Sequence, residues 1–200
     1  MNNMATAVSE ELTLAEEEKT ELAGIKQELD EIEDIFHDLL LVDLLSTRVP
    51  PIKKVEEARN NLERMFNLVS GMERHAGTLK NLTLKIKNLS KHVMLRIKER
   101  NNRREIKLQK QMYRARITPM LRREKKFISR LNTLKAIIGA LILKADEALK
   151  KGQAILFINE FNKRRDNIVD TFKQITALEY TLRTLEGGLL KQIYIIEHPE

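Results

Sequence analysis

The strongest constraint on the fold is a stripe of apolar and small residues between Val55 and Ile97. It runs Val55, Ala58, Leu62, Met65, Val69, Met72, Ala76, Leu79, Thr83, Ile86, Ser90, Val93 and Ile97. The steps alternate between 3 and 4 over thirteen positions. Only an α-helix gathers that spacing onto one face, and only packing against other helices buries so narrow a face. Three further seams have the same rhythm. One is Leu22, Ile25, Leu29, Ile32, Phe36 and Leu39; a second runs from Ile128 through Leu131, Leu134, Ile138 and Leu141 to Ala148. The last runs Ile155, Ile158, Asn162, Arg165, Ile168, Phe172, Ile175, Leu178, Leu182 and Leu185. The expected fold is therefore all-α: an elongated antiparallel bundle or coiled coil of about four long helices, forming one unit over residues 1–200.

Boundaries follow from the breakers. Ser9 is an N-cap candidate with acids behind it, which suits the helix dipole. Pro50-Pro51 separates the first helix from the second. Thr118-Pro119 reads as a helix start, because proline is tolerated at the first helical position and not in the interior. Lys150-Lys151-Gly152 reads as a helix end, and Gly187-Gly188 as another. These signals predict helices over about 9–46, 52–116, 118–151 and 153–187. The tail after Gly188 is left as a helical turn or a short strand. The stripe lapses after Ile97. Either Asn101-Asn102 is a hairpin tip, or the helix runs on and exposes a polar turn; the absence of Gly or Pro there favours the continuous helix.

Charge is distributed unevenly. Residues 1–50 carry thirteen acids against three bases, and residues 80–130 carry eighteen bases against three acids. An antiparallel first helix reaches bases up to about residue 91 and no further. That leaves Arg96, Arg100, Arg103, Arg104, Lys107, Lys110, Arg114, Arg116, Arg122, Arg123, Lys125 and Lys126 as a candidate polyanion-binding set. Like charges three or four residues apart repel on a helix, so an uncompensated run points to an external anion. Nucleic acid, an anionic membrane surface and an acidic protein all qualify. Phosphate binding of this kind needs no fixed motif, and the excess of Arg over Lys at 96–116 leans towards phosphate. Tyr113 alone is aromatic within the stripe, which gives little support to single-strand stacking.

Other chemistry lacks its residues. The chain has no cysteine, so disulfides and thiolate metal sites are excluded. The four histidines are scattered. Asp34 and His37 form a lone acid-x-x-His pair, whereas bundle metal centres need that pattern on two helices. Glycine-rich phosphate loops and nucleophile motifs are missing. The acids of the first helix read as a solvated face. The Met65, Met72 and Phe66 cluster and the run AIIGALIL (136–143) read as core. Eight apolar residues are too few to span a bilayer, which takes roughly 20, and the N-terminus lacks a secretory pattern. The expectation is a non-enzymatic cytoplasmic scaffold, with no metal, cofactor or small-molecule substrate. It would assemble with itself or another helical protein, or alternatively bind nucleic acid or anionic lipid through the basic stripe.

Overall fold

In α2 (Ile52–Glu99) the twelve seam positions from Val55 to Val93 are all buried. In α1 (Asn2–Leu41) the positions from Leu22 to Leu39 are buried as well. The computed structural model describes residues 2–41, 52–99 and 103–197. The remaining elements are α3 (Arg103–Met112), a π-helical turn at Tyr113–Ile117, α4 (Thr118–Lys151) and α5 (Ala154–Glu197). The described residues contain no strand, and four long helical stretches pack against one another as an all-α bundle. No described helix is long and apolar enough to cross a membrane.

Four local expectations are corrected. First, α1 begins at Asn2, so Ser9 lies inside the helix and does not cap it. Val8 is buried at 2% exposure, and tertiary packing extends the helix beyond its local start signal. Second, the continuous helix over 52–116 does not form. Ser90 Oγ donates to Gln109 Oε1 at 3.0 Å, whereas nineteen residues of unbroken helix would hold the two about 28 Å apart. The chain therefore reverses between α2 and α3; Asn101-Asn102 lies outside the described residues.

Third, Thr118-Pro119 is no helix start. The helix passes through it from α3 into α4 by way of the π-turn, and Thr118 has helical dihedrals. Both the Thr118 backbone N–H and its Oγ1 donate to the Tyr113 carbonyl, the latter at 3.1 Å. A proline ring inside a helix clashes with the carbonyl four residues earlier. Widening that turn by one residue accommodates Pro119 and keeps the rod intact. Fourth, α5 runs through Gly187-Gly188 to Glu197. The Arg116 side chain packs so closely over Gly188 that an added Cβ would lie 2.5 Å from Cζ. Leu189 and Ile193 then continue the buried face at 0% exposure. By contrast Gly152 does end α4. It has φ 63°, and Gly152 N–H and Gln153 N–H donate to the Leu149 and Ala148 carbonyls at 3.2 and 2.9 Å. This left-handed cap satisfies carbonyls that the helix end would otherwise orphan.

The helices contribute to two compact units. One comprises 25–74 and 129–177. Its core is apolar: Met65, Met72, Leu131 and Phe157 are buried, and the Phe157 and Phe161 rings lie 5.8 Å apart. The polar contacts stay at the rim. Arg59 donates to Asp146 at 2.9 Å, and Lys135 pairs with Glu73 while sitting 5.3 Å from the Phe66 ring centroid. Leu143 at the end of the AIIGALIL run is exposed, and so is Ile155, which had been expected on the seam. The α5 face buries Ala154, Phe157, Ile158 and Phe161 instead.

The other unit comprises 1–24, 75–128 and 178–200. Val8, Ala15, Ile86, Met112, Met120 and Leu189 are among its core. Among the described residues of the first unit Thr171 is a buried polar side chain, whereas this unit also buries carboxyl groups. Glu11, Glu18, Thr83, Ser90, Gln109 and Glu124 are each 0% exposed, Glu179 is 2% and Glu186 is 4%.

Candidate functional site

The basic face belongs to the second of these units. Along α3 and into the π-helical turn, Arg103, Lys107, Lys110 and Arg114 follow one another at steps of 4, 3 and 4, and all four are exposed. With Ile106 and Gln111 they line a groove of about 520 Å³. The opposite side of the same helix is anchored by Gln109 and Met112 in the core. That anchoring holds the cations outward. Arg104, Arg122, Arg123, Lys125 and Lys126 are exposed too, the last four flanking the buried Glu124. Among the described residues, none of these nine bases makes an ion pair.

The expected set is thus only partly brought together. Arg116 projects about half a turn away from the stripe and packs on Gly188. Arg100 and the side chain of Arg96 lie outside the described residues. Because the chain reverses after α2, Lys80 and Lys91 do not continue the helical face that carries Arg103 to Arg114. Tyr113 packs against the core. The neutralisation expected from α1 takes another form. Glu21 meets His75 Nδ1 at 2.6 Å and Asp30 pairs with Lys26, while Glu10, Glu16 and Glu17 make no ion pair with Lys80–Lys91 among the described residues.

A second polar feature was not anticipated. Glu18 from α1, Thr83 from α2, Glu124 from α4 and Glu186 from α5 all occupy buried seam positions. Thr83 Oγ1 lies 2.5 Å from Glu18 Oε1, 2.5 Å from Glu124 Oε1 and 3.1 Å from the Leu79 carbonyl. Burial pushes Glu18 up to about 8; the nearby Glu124 and Glu186 carboxyls add to this, while the Thr83 hydroxyl opposes it. Burial likewise raises Glu124 to about 7, against the Thr83 hydrogen bond and the Lys80 charge. Glu186 rises to about 7 for the same reason, with Lys19 opposing. Seven residues before Glu18, Glu11 is raised by burial to about 8 beside the Gln109 amide. The acids of α1 are therefore not all a solvated face. A signal for this was present: the α1 seam, continued backwards from Leu22 at steps of 4, 3 and 4, lands on Glu18, Ala15 and Glu11.

Among the described residues, no group of three or more His, Asp or Glu side chains is arranged to hold a metal ion. Asp34 and His37 are both exposed. No protein-family model matches the chain, no curated protein matches its sequence, and no solved structure matches its fold.

Proposed function

We propose that the chain is a non-enzymatic helical module that holds the phosphate backbone of a nucleic acid against the basic face of α3 and the first turns of α4. The observation that carries this reading is the row Arg103, Lys107, Lys110 and Arg114, exposed on one stripe and without ion pairs among the described residues. Cations spaced along a rod suit a repeating array of phosphates, and such contacts need no base-reading motif. An anionic lipid surface fits less well. Helices that lie in a membrane interface carry large apolar side chains beside the bases, whereas the exposed large hydrophobics, Leu84, Leu95, Leu143 and Tyr180 among them, all fall outside 103–126.

A second reading, a scaffold that assembles with itself, is favoured by the exposed acids of α1. Glu10, Glu16 and Glu17, with Asp30, Glu31, Glu33, Asp34 and Asp38, offer a complementary surface on another copy. A cytoplasmic setting fits either reading.

Fluorescence anisotropy of a labelled random-sequence DNA duplex, titrated at several salt concentrations, tests the proposal. Binding that weakens steeply with salt supports it. No binding at low salt overturns it, and a mass that grows as salt is lowered, without DNA, moves the conclusion to self-assembly.

A further inference from the structure

The Thr83 hydroxyl poses a proton-counting problem. A hydroxyl carries one proton and can donate once. Here its oxygen stands within hydrogen-bond distance of three acceptors, two of them carboxyl oxygens at 2.5 Å. If Glu18 and Glu124 were both ionised, at least one of the two short oxygen–oxygen contacts would have no proton in it. Two negative oxygens would then press on one neutral oxygen inside a core from which water is excluded. The geometry is consistent only when at least one of the carboxyls is protonated and donates back to Thr83 Oγ1.

We propose that the Glu18–Thr83–Glu124–Glu186 layer is a proton-operated latch. Within the unit 1–24, 75–128 and 178–200 it ties α1, α2 and α4 together through Thr83, with Glu186 of α5 acting on Glu18 by charge, while it retains a proton, and it loosens that unit when the proton leaves. The surroundings offer little to replace the proton. From α1, Lys19 bears on Glu186; from α2, Lys80 bears on Glu124; from α4 and α5, Glu124 and Glu186 add negative charge at Glu18. Both lysines are exposed, so water screens them. Glu18 Oε2, Glu124 Oε2 and Glu186 Oε1 are buried with no hydrogen-bond partner among the described residues. Unpartnered oxygens of this kind are tolerable on a neutral carboxyl and costly on an anion.

The pH sense follows from linkage. The folded carboxyls hold protons more tightly than the unfolded ones, whose ordinary value is 4.5. Between about 4.5 and about 8 the folded state therefore binds more protons than the unfolded state, and stability falls as pH rises through that window. Below it the latch is closed and stability from this source is constant.

The test is thermal unfolding of the full chain from about pH 5 to about pH 9, together with infrared spectra of the folded protein. The wild type is expected to lose melting temperature steadily as pH rises. E18Q/E124Q places amide donors where protonated carboxyls stood, and should flatten that dependence to about half or less. E16Q/E17Q, on exposed neighbours, should leave it unchanged. The infrared carbonyl band of a protonated carboxyl should be present in the wild type at neutral pH. Its absence would overturn the proposal even if E18Q/E124Q fails to fold. Equal pH dependence in wild type and E18Q/E124Q would overturn it as well.

Discussion

Neutralising Arg103, Lys107, Lys110 and Arg114 together as glutamine tests the α3 face quantitatively. The change takes the formal net charge from +7 to +3, four charges fewer. Glutamine is a good helix former, and all four side chains are exposed, so the fold should survive. It should even gain slightly, because three like-charge pairs at spacings of 3 or 4 disappear, each worth a few tenths of a kcal/mol. The effect on binding is much larger. Each phosphate neutralised on duplex DNA contributes about −0.9 to the slope of log affinity against log salt. Losing four contacts should therefore flatten the slope by about 3.6. Between about 50 and 200 mM salt, wild-type affinity should then fall roughly 150-fold more steeply than that of the variant. Anisotropy of a labelled duplex at four or five salt concentrations reads this directly, and circular dichroism checks helicity. The control is K53Q/K150Q/K163Q/K173Q, with the same net charge and all four changes at exposed positions elsewhere. It should keep the wild-type slope. If both variants flatten the slope equally, the attraction belongs to net charge and not to a face, and the assignment to α3 is wrong.

Two glycines should respond with opposite signs in urea unfolding. Gly152→Ala forces an L-residue to φ 63° and should cost about 1–2 kcal/mol from backbone conformation alone, since nothing lies within 4 Å of the added methyl. Gly77→Ala also has open space for its methyl but sits inside α2, and should gain about 0.5–1 kcal/mol. Phe157→Ala removes a fully buried ring from the apolar unit and should cost about 3–5 kcal/mol; a loss below that range in chemical denaturation would mean that the site collapses around the void. Glu147, drawn down to about 2 first by its hydrogen bonds to Lys144 and Lys151 and then by their charges, should stay ionised in side-chain NMR titrations until close to that pH. Any stability it lends is present above 4.5 and lost as pH falls towards 2.

The parts of this fold legible in the sequence are those where residue type and position agree. In α2, apolar and small side chains mark every buried seam position from Val55 to Val93, so the pattern states its own burial. Gly152 stands where lysines and the end of a periodic run already mark a helix terminus. The failures share one cause: a local signal outweighed by packing that the chain supplies from far away. Pro119 ordinarily opens a helix, but Met112, Ile117 and Met120 are held in the core on either side of the turn, so the turn widens instead. Gly188 ordinarily ends one, but Arg116 needs the space above it. The basic stripe was readable as composition, because charge depends little on fold. Its membership was not, since the reversal after α2 decides which bases share a face. The carboxyl layer was hidden because glutamate at a seam position breaks the apolar pattern that makes a seam visible.

That layer also bears on how the helices find their alignment. Coiled seams built only of aliphatic side chains tolerate a slide by one heptad, because each layer resembles the next. In the unit 1–24, 75–128 and 178–200 the layers are not alike. A seven-residue slide of α1 would bring Ile25 to the level of Thr83 and Glu124 and carry Glu18 away from the hydroxyl that it now meets. A slide the other way would put Glu11 at that level but take it from Gln109, so either slide breaks a polar pairing. The core that looks least comfortable by hydrophobic burial is the one that tells the four rods where to stop.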